Sequence, residues 1–317
     1  MKGVLLDMKT IDSNDINFDS LKKAVADWQF YDFTRESEVP NRIRDADIIV
    51  TNKVKINKEH LDQVNSLKLI CIAATGTNNV DLQAAAAKGI AVVNVTNYAT
   101  PSVVQHVFCL ILSLMTNLPR YQQAVQQNKW QASPFFCLLD YPVAELSGKT
   151  LGIIGYGVLG KAVMELGKAF GMNVLVAAHK HAQPAEGRVA FNQLLEQSDV
   201  ISIHCPLTEE TRNLISSEEL ALMKQSAIII NTARGGIINE EALADALERG
   251  RIGGAGIDVL TEEPPVYGNV LLDLKLPNLI ITPHIAWASV ESRQRVVNEI
   301  ALNIAAFFKG ENRNRVC

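Results

Sequence analysis

The sequence predicts an α/β protein made of two doubly wound parallel sheets, and three observations carry that expectation. Short apolar, β-rich runs alternate with helical patterns along most of the chain. The alternation pauses once, over 100–149. A glycine-rich turn sits between a strand and a helix just after the pause. The expected strands lie at 4–8, 47–52, 68–75 and 90–95 before the pause, and at 150–156, 173–178, 200–205, 227–233, 254–259 and 278–282 after it. Uninterrupted apolar strands such as Ile228-Ile229-Ile230 suit parallel sheets covered by helices on both faces. Between them the helices carry their own punctuation, as at 240–249, where Asn239 can cap the start and Gly250 can close the end. Repeated strand and helix units imply right-handed crossovers, hence a doubly wound arrangement.

At about 150 residues per domain, 317 residues suggest two domains. The pause holds a long apolar helix from Pro101, a second helix over 118–128, and a segment over 130–146 with Trp130, Phe135, Phe136 and Tyr141. So much apolar surface points to a contact between subunits, hence to a homodimer. A last helix over 289–308 has no strand to follow it and is expected to fold back onto the first domain. The expected domains are therefore 1–100 with 288–317, and 101–287 inserted into it, with hinges near Thr100 and Trp287 and a closing cleft between them.

Thirty Lys and Arg against 34 Asp and Glu leave a net charge of -4, which argues against bulk binding to nucleic acid or anionic membranes. The apolar stretch 103–115 falls short of the roughly 18 residues that span a bilayer. Asp7 and Lys9 interrupt the N-terminus before a signal-peptide core can form. Five scattered cysteines offer neither a disulfide framework nor a metal pair. The expected location is the reducing cytoplasm.

The strongest motif is Gly155-Tyr156-Gly157-Val158-Leu159-Gly160, placed between an apolar strand over 151–154 and a helix expected over 161–170. Gly155 allows the tight turn, Gly157 lets the backbone approach a pyrophosphate, and Gly160 lets helix and strand pack closely. The N–H groups at Val158 and Leu159 then face the phosphates. This is a dinucleotide-binding fingerprint of the Rossmann type. An NAD site normally has an acid at the end of the next strand, yet that strand ends Ala178-His179-Lys180-His181 with no acid between Gly171 and Ala185. His179 and Lys180 are therefore expected to meet a 2′-phosphate, so the cofactor is NADP(H) and/or NAD(H).

Downstream strand ends deliver three chemically distinct side chains to one edge. Arg234 follows Asn231-Thr232-Ala233, Glu263 comes 29 residues later, and His284 comes 21 residues after that, in Thr282-Pro283-His284-Ile285-Ala286-Trp287. An Arg there suits bidentate capture of a carboxylate, and a His with a carboxylate suits proton transfer. Glu262 competes with Glu263 for the last role.

These segments, together with Ala73-Ala74-Thr75-Gly76-Thr77-Asn78-Asn79-Val80-Asp81 and His204-Cys205-Pro206-Leu207-Thr208, resemble the D-2-hydroxyacid dehydrogenases over nearly the whole chain. Thr51-Asn52-Lys53-Val54 and the run from Pro283 to Ser289 look like the glycerate dehydrogenase and hydroxypyruvate or glyoxylate reductase branch. The resemblance implies that Arg234 binds and polarises a 2-oxo acid, that His284 is the acid-base and that Glu263 orients it. It further implies that Lys53 and the amides of Thr75 and Gly76 hold the substrate, and that Asp258 meets the nicotinamide carboxamide. Cys205, Pro206, Thr211, Thr232 and Ala233, with Arg234 and His284, complete the implied cofactor contacts. Two other readings stand beside this one: a phosphoglycerate-type dehydrogenase, and a non-catalytic, nucleotide-sensing corepressor, although only a short arm after Gly310 flanks the fold. Formate enzymes of the family place Gln where Glu263 stands.

Overall fold

A computed structural model describes all residues, 1–317. The chain divides into two compact units, Met1–Ala99 with Trp287–Cys317, and Thr100–Ala286.

The first unit is built on β1 (Lys2–Leu5), β2 (Asp27–Phe30), β3 (Ile48–Thr51), β4 (Leu69–Ile72) and β5 (Ala91–Val93), all parallel, in the order β2-β1-β3-β4-β5. Both faces are dry. Leu5, Val50, Cys71 and Val93 point to one side with Val296, Val297, Ile300 and Ile304 of the helix Val290–Phe308. Val4, Ile49, Ile70 and Val92 point to the other. The last helix thus packs on the first sheet. β2 was not among the expected strands. It lies at the sheet edge, alternates exposed Asp27 and Gln29 with half-buried Trp28 and Phe30, and lacks the continuous apolar run of its neighbours. The arm after Gly310 is not loose: Val316 donates its N–H to Val92 O at 2.8 Å, and Asn94 donates to Asn314 O at 3.1 Å, so it covers the β5 edge.

The second unit carries β6 (Thr150–Ile154), β7 (Asn173–Val176), β8 (Val200–Ile203), β9 (Ile228–Asn231), β10 (Gly254–Ile257) and β11 (Leu279–Ile281), again all parallel, in the order β11-β10-β9-β8-β6-β7. The chain leaves β6 to one side for β7 and to the other for β8. The topological switch point is therefore at the carboxyl ends of β6 and β8, where open α/β sheets bind ligands.

One fastening recurs in both sheets. Asp47, just before β3, takes the N–H of Lys2 at 2.9 Å and lies 3.4 Å from Lys68 Nζ. Asp199, just before β8, takes the N–H of Thr150 at 2.8 Å and pairs with Lys224 Nζ at 2.9 Å. The Lys2 N–H holds the Asp47 carboxyl below the usual range. At Asp199 burial pushes upward, but the Thr150 N–H and Lys224 outweigh it, and the net shift is again downward. A depressed folded-state value adds stability that is present above the unfolded value near 3.8 and is lost as pH falls through the folded one. Asp199→Asn should therefore lower the urea midpoint at pH 7 more than at pH 3; an equal loss at both would contradict this.

Candidate active site

The turn after β6 begins the site. Gly155 has φ +95°, and a Cβ there would lie 2.5 Å from Cys205 N, so the turn rests directly on the segment leaving β8. Gly157 caps a helix that runs Val158–Ala169, starting three residues before the expected 161. Its first internal bond is Lys161 N–H to Gly157 O, which leaves the N–H groups of Val158, Leu159 and Gly160 at the open helix end. A Cβ on Gly157 would meet nothing within 4 Å, so space lies over those donors. One residue past the paired Ile203 and Asn231, His204 Nδ1 and Thr232 Oγ1 are buried without a hydrogen-bond partner. Burial pushes His204 down to about 4, so its ring, which shares a 2.8 Å hydrogen bond with Ser202 Oγ, stays neutral. Burial also raises the thiol of neighbouring Cys205. Uncommitted helix N–H donors, open space above Gly157 and two orphaned polar atoms fit a bound dinucleotide.

Two expected cofactor contacts are otherwise engaged. Thr211 Oγ1 accepts the N–H of Thr208 at 2.7 Å and donates to Pro206 O at 2.7 Å, so it shapes the turn after β8. Lys180 Nζ is held at 2.8 Å by Glu219, which is 5% exposed and also caps the helix Ser217–Leu222. Burial pushes the Glu219 carboxyl up, but Lys180 and the Ser216 N–H bring it below its ordinary value. Lys180 is thus the counter-ion of a buried carboxylate. His179 and His181 are exposed.

At the carboxyl end of β9, the Asn231 side chain ties the next turn: Oδ1 accepts Ala233 N–H at 3.0 Å and Nδ2 donates to Arg234 O at 2.9 Å. Arg234 is exposed, with Nη1 on Ala233 O at 2.7 Å. A Cβ on Gly235 would fall 1.9 Å from Leu260 O, so the Arg234 turn touches the loop leaving β10. That loop presents Glu263, whose Oε1 accepts Leu260 N–H at 2.9 Å and whose Oε2 lies 2.6 Å from His284 Nδ1. The carboxylate is therefore Glu263 and not Glu262. Because an ionised carboxylate only accepts, Nδ1 carries the proton and Nε2 is left for chemistry.

His284 sits at φ +55° in a loop organised by Asp258. The Asp258 carboxylate accepts Thr282 Oγ1 at 2.5 Å and the N–H groups of Ile285 and Ala286 at 2.9 Å each, while its carbonyl accepts His284 N–H at 2.8 Å. At 1% exposure this carboxylate anchors the loop. The helix Thr100–Met115 completes the support. Cβ atoms on Gly254 and Gly256 would lie 3.3 Å from Leu114 Cδ2 and 3.0 Å from Leu110 Cβ. One turn on, His106 Nε2 is 2.9 Å from Thr282 Oγ1 and 3.5 Å from Asp258 Oδ1, and Ser102 Oγ donates to Ala286 O at 2.7 Å. Four helical residues rise about 6 Å and two strand residues about 6.6 Å, so one helix face keeps step with β10 and then grips the His284 loop. Ser102 and His106 escape a sequence reading because this match is tertiary.

In the first unit, two residues past the end of β1, the carboxylate of Asp7, 3% exposed, gathers the N–H groups of Asn52 at 3.0 Å, Lys53 at 2.6 Å and Val54 at 3.2 Å. Burial nevertheless raises its carboxyl above the usual range. No pattern in the sequence marks Asp7 for this role. Lys53 and Thr75 are exposed and Gly76 is half-buried; Thr75 donates to Val95 O at 2.9 Å and accepts Asn94 Nδ2 on its carbonyl at 2.8 Å.

A family model described as D-isomer specific 2-hydroxyacid dehydrogenase, NAD binding domain, matches residues 108–286. The chain is 44% identical to the glycerate dehydrogenase of Methylorubrum extorquens, over 99% of its own length and 98% of that protein's. It is 40% identical to the hydroxypyruvate reductase of Blautia hydrogenotrophica, over 100% and 99%. The solved structure of the TT0316 protein from Thermus thermophilus matches with a TM-score of 0.88 at 30% identity, over 100% of each chain.

Proposed function

The chain belongs to the D-isomer specific 2-hydroxyacid dehydrogenase family, and from that premise we propose that it reduces hydroxypyruvate or glyoxylate to the D-2-hydroxy acid, reversibly, with NADPH or NADH. The observation that carries this reading is the 2.6 Å contact between His284 and Glu263 on a loop that touches the Arg234 turn. When bound, the reduced cofactor supplies the hydride. It would be held by the open helix end at Val158, Leu159 and Gly160, by Gly155 and Gly157, and by the strand-end residues Cys205, Pro206, Thr232 and Ala233.

As hydride reaches the carbonyl carbon, negative charge grows on its oxygen. The Arg234 guanidinium stabilises that charge, and protonated His284 donates to the oxygen from Nε2. Glu263 holds the other ring nitrogen and keeps the imidazole facing its task in both directions. Lys53, Thr75 and Gly76 would hold the substrate carboxylate.

The aromatic segment supports the homodimer: Phe135, Phe136 and Leu139 are 73%, 92% and 83% exposed, with Trp130 held to Phe136 O through its indole N–H. Five free cysteines support a cytoplasmic location. The test is cofactor oxidation with hydroxypyruvate, glyoxylate, pyruvate and 3-phosphohydroxypyruvate, run on a sample sized by light scattering. Turnover on the first two at twice the 34.7 kDa chain mass is the expected result. Preference for the phosphorylated acid would move the chain to the phosphoglycerate type, and no turnover on any of the four would overturn the proposal.

A further inference from the structure

Resting on the dinucleotide site just described, we infer that Arg188, carried on the ring of Tyr156, recognises the 2′-phosphate of NADP(H). In sheets of this kind the end of the second strand meets the ribose, and an acid there accepts its 2′-hydroxyl. Here that place is Ala178, 6% exposed, and the next acid is Glu186. The basic run that follows does not supply its lysine, because Lys180 is committed to Glu219.

Arg188 arrives from further along the chain. Val189 extends the sheet outside β7, taking the Ala178 N–H at 2.8 Å and donating to Val176 O at 2.9 Å. Ala177 donates to Ile153 O at 2.9 Å, so its own carbonyl also faces β6. Arg188 Nη1 donates to that carbonyl at 2.9 Å. The guanidinium therefore crosses the end of β7 and comes to rest between the ends of β6 and β7, on the glycine-rich turn. Its Cζ lies 5.5 Å from the ring centroid of Tyr156, the residue between Gly155 and Gly157, and Lys161 Nζ lies 5.4 Å from the same ring. No carboxylate is within ion-pair distance of Arg188. A planar cation with one N–H spent on a carbonyl and the rest of its fork uncommitted is suited to a phosphate dianion. A 2′-hydroxyl would gain far less from it.

The test compares binding of adenosine 2′,5′-bisphosphate with that of adenosine 5′-monophosphate by calorimetry, since the two differ only in the 2′-phosphate. The parent protein should favour the bisphosphate by roughly 10- to 100-fold at low salt, and the preference should shrink as salt is added. Arg188→Ala should remove most of that preference while retaining monophosphate affinity, which also shows that the site is still folded. Arg188→Lys should restore part of it. A preference that survives Arg188→Ala would assign recognition to His179 and His181 and overturn the inference, as would equal binding of both nucleotides by the parent. Failure of both nucleotides to bind would instead count against the dinucleotide site itself.

Discussion

Arg234→Ala and His284→Ala are each expected to lower turnover of the 2-oxo acid by at least about 10²-fold, the scale for losing charge stabilisation or general acid catalysis. The two losses differ in kind. In the proposed mechanism Arg234 meets both the bound acid and the developing oxyanion, so its removal should raise KM and lower kcat. His284 is proposed to act on the proton alone, so kcat should carry nearly the whole effect. Glu263→Gln keeps a hydrogen-bond partner 2.6 Å from Nδ1 but removes its charge, and should fall between these variants and the parent. Steady-state kinetics, with nucleotide binding measured on the same variants, separates these cases. Near-full activity of either alanine variant would sink the assigned roles.

Gly235→Ala is expected to be as damaging although residue 235 bears no chemistry. The added Cβ would lie 1.9 Å from Leu260 O and 2.4 Å from Thr261 N, both backbone atoms that no rotamer change can move aside. Two turns would have to separate: one ends in Arg234, the other leads to Glu263. Overpacking of this kind costs about 1–3 kcal/mol, and a misplacement of about 1 Å at a catalytic group can cost about 10²-fold in rate. Thermal unfolding and kcat should therefore fall together. A variant with parental stability and turnover would show that the turns are not in the contact described.

The architecture was legible because parallel strands buried on both faces leave continuous apolar runs such as Ile228-Ile229-Ile230, and because a strand, a glycine-rich turn and a helix in succession have few other uses. Asp27–Phe30 escaped because an edge strand needs no such run. Arg234, Glu263 and His284 were readable as strand-end residues at recognisable intervals, and the structure chose Glu263 over Glu262. Residues that act through contacts distant in sequence were not readable. The partner of Lys180, Glu219, lies 39 positions away, and Asp7 gathers amides 45 to 47 positions away. Arg188 could not be placed until Val189 was seen to pair beside β7.

The backbone at His284 sets stability against chemistry. A non-glycine residue at φ +55° carries strain on the order of 1 kcal/mol, which glycine would not. Any search for sturdier variants that scores only folding would drift toward glycine at this position and return proteins that melt later and have lost the proposed proton donor. Position 284 is one to hold fixed in stabilisation work, however favourable its replacement looks by thermal screening.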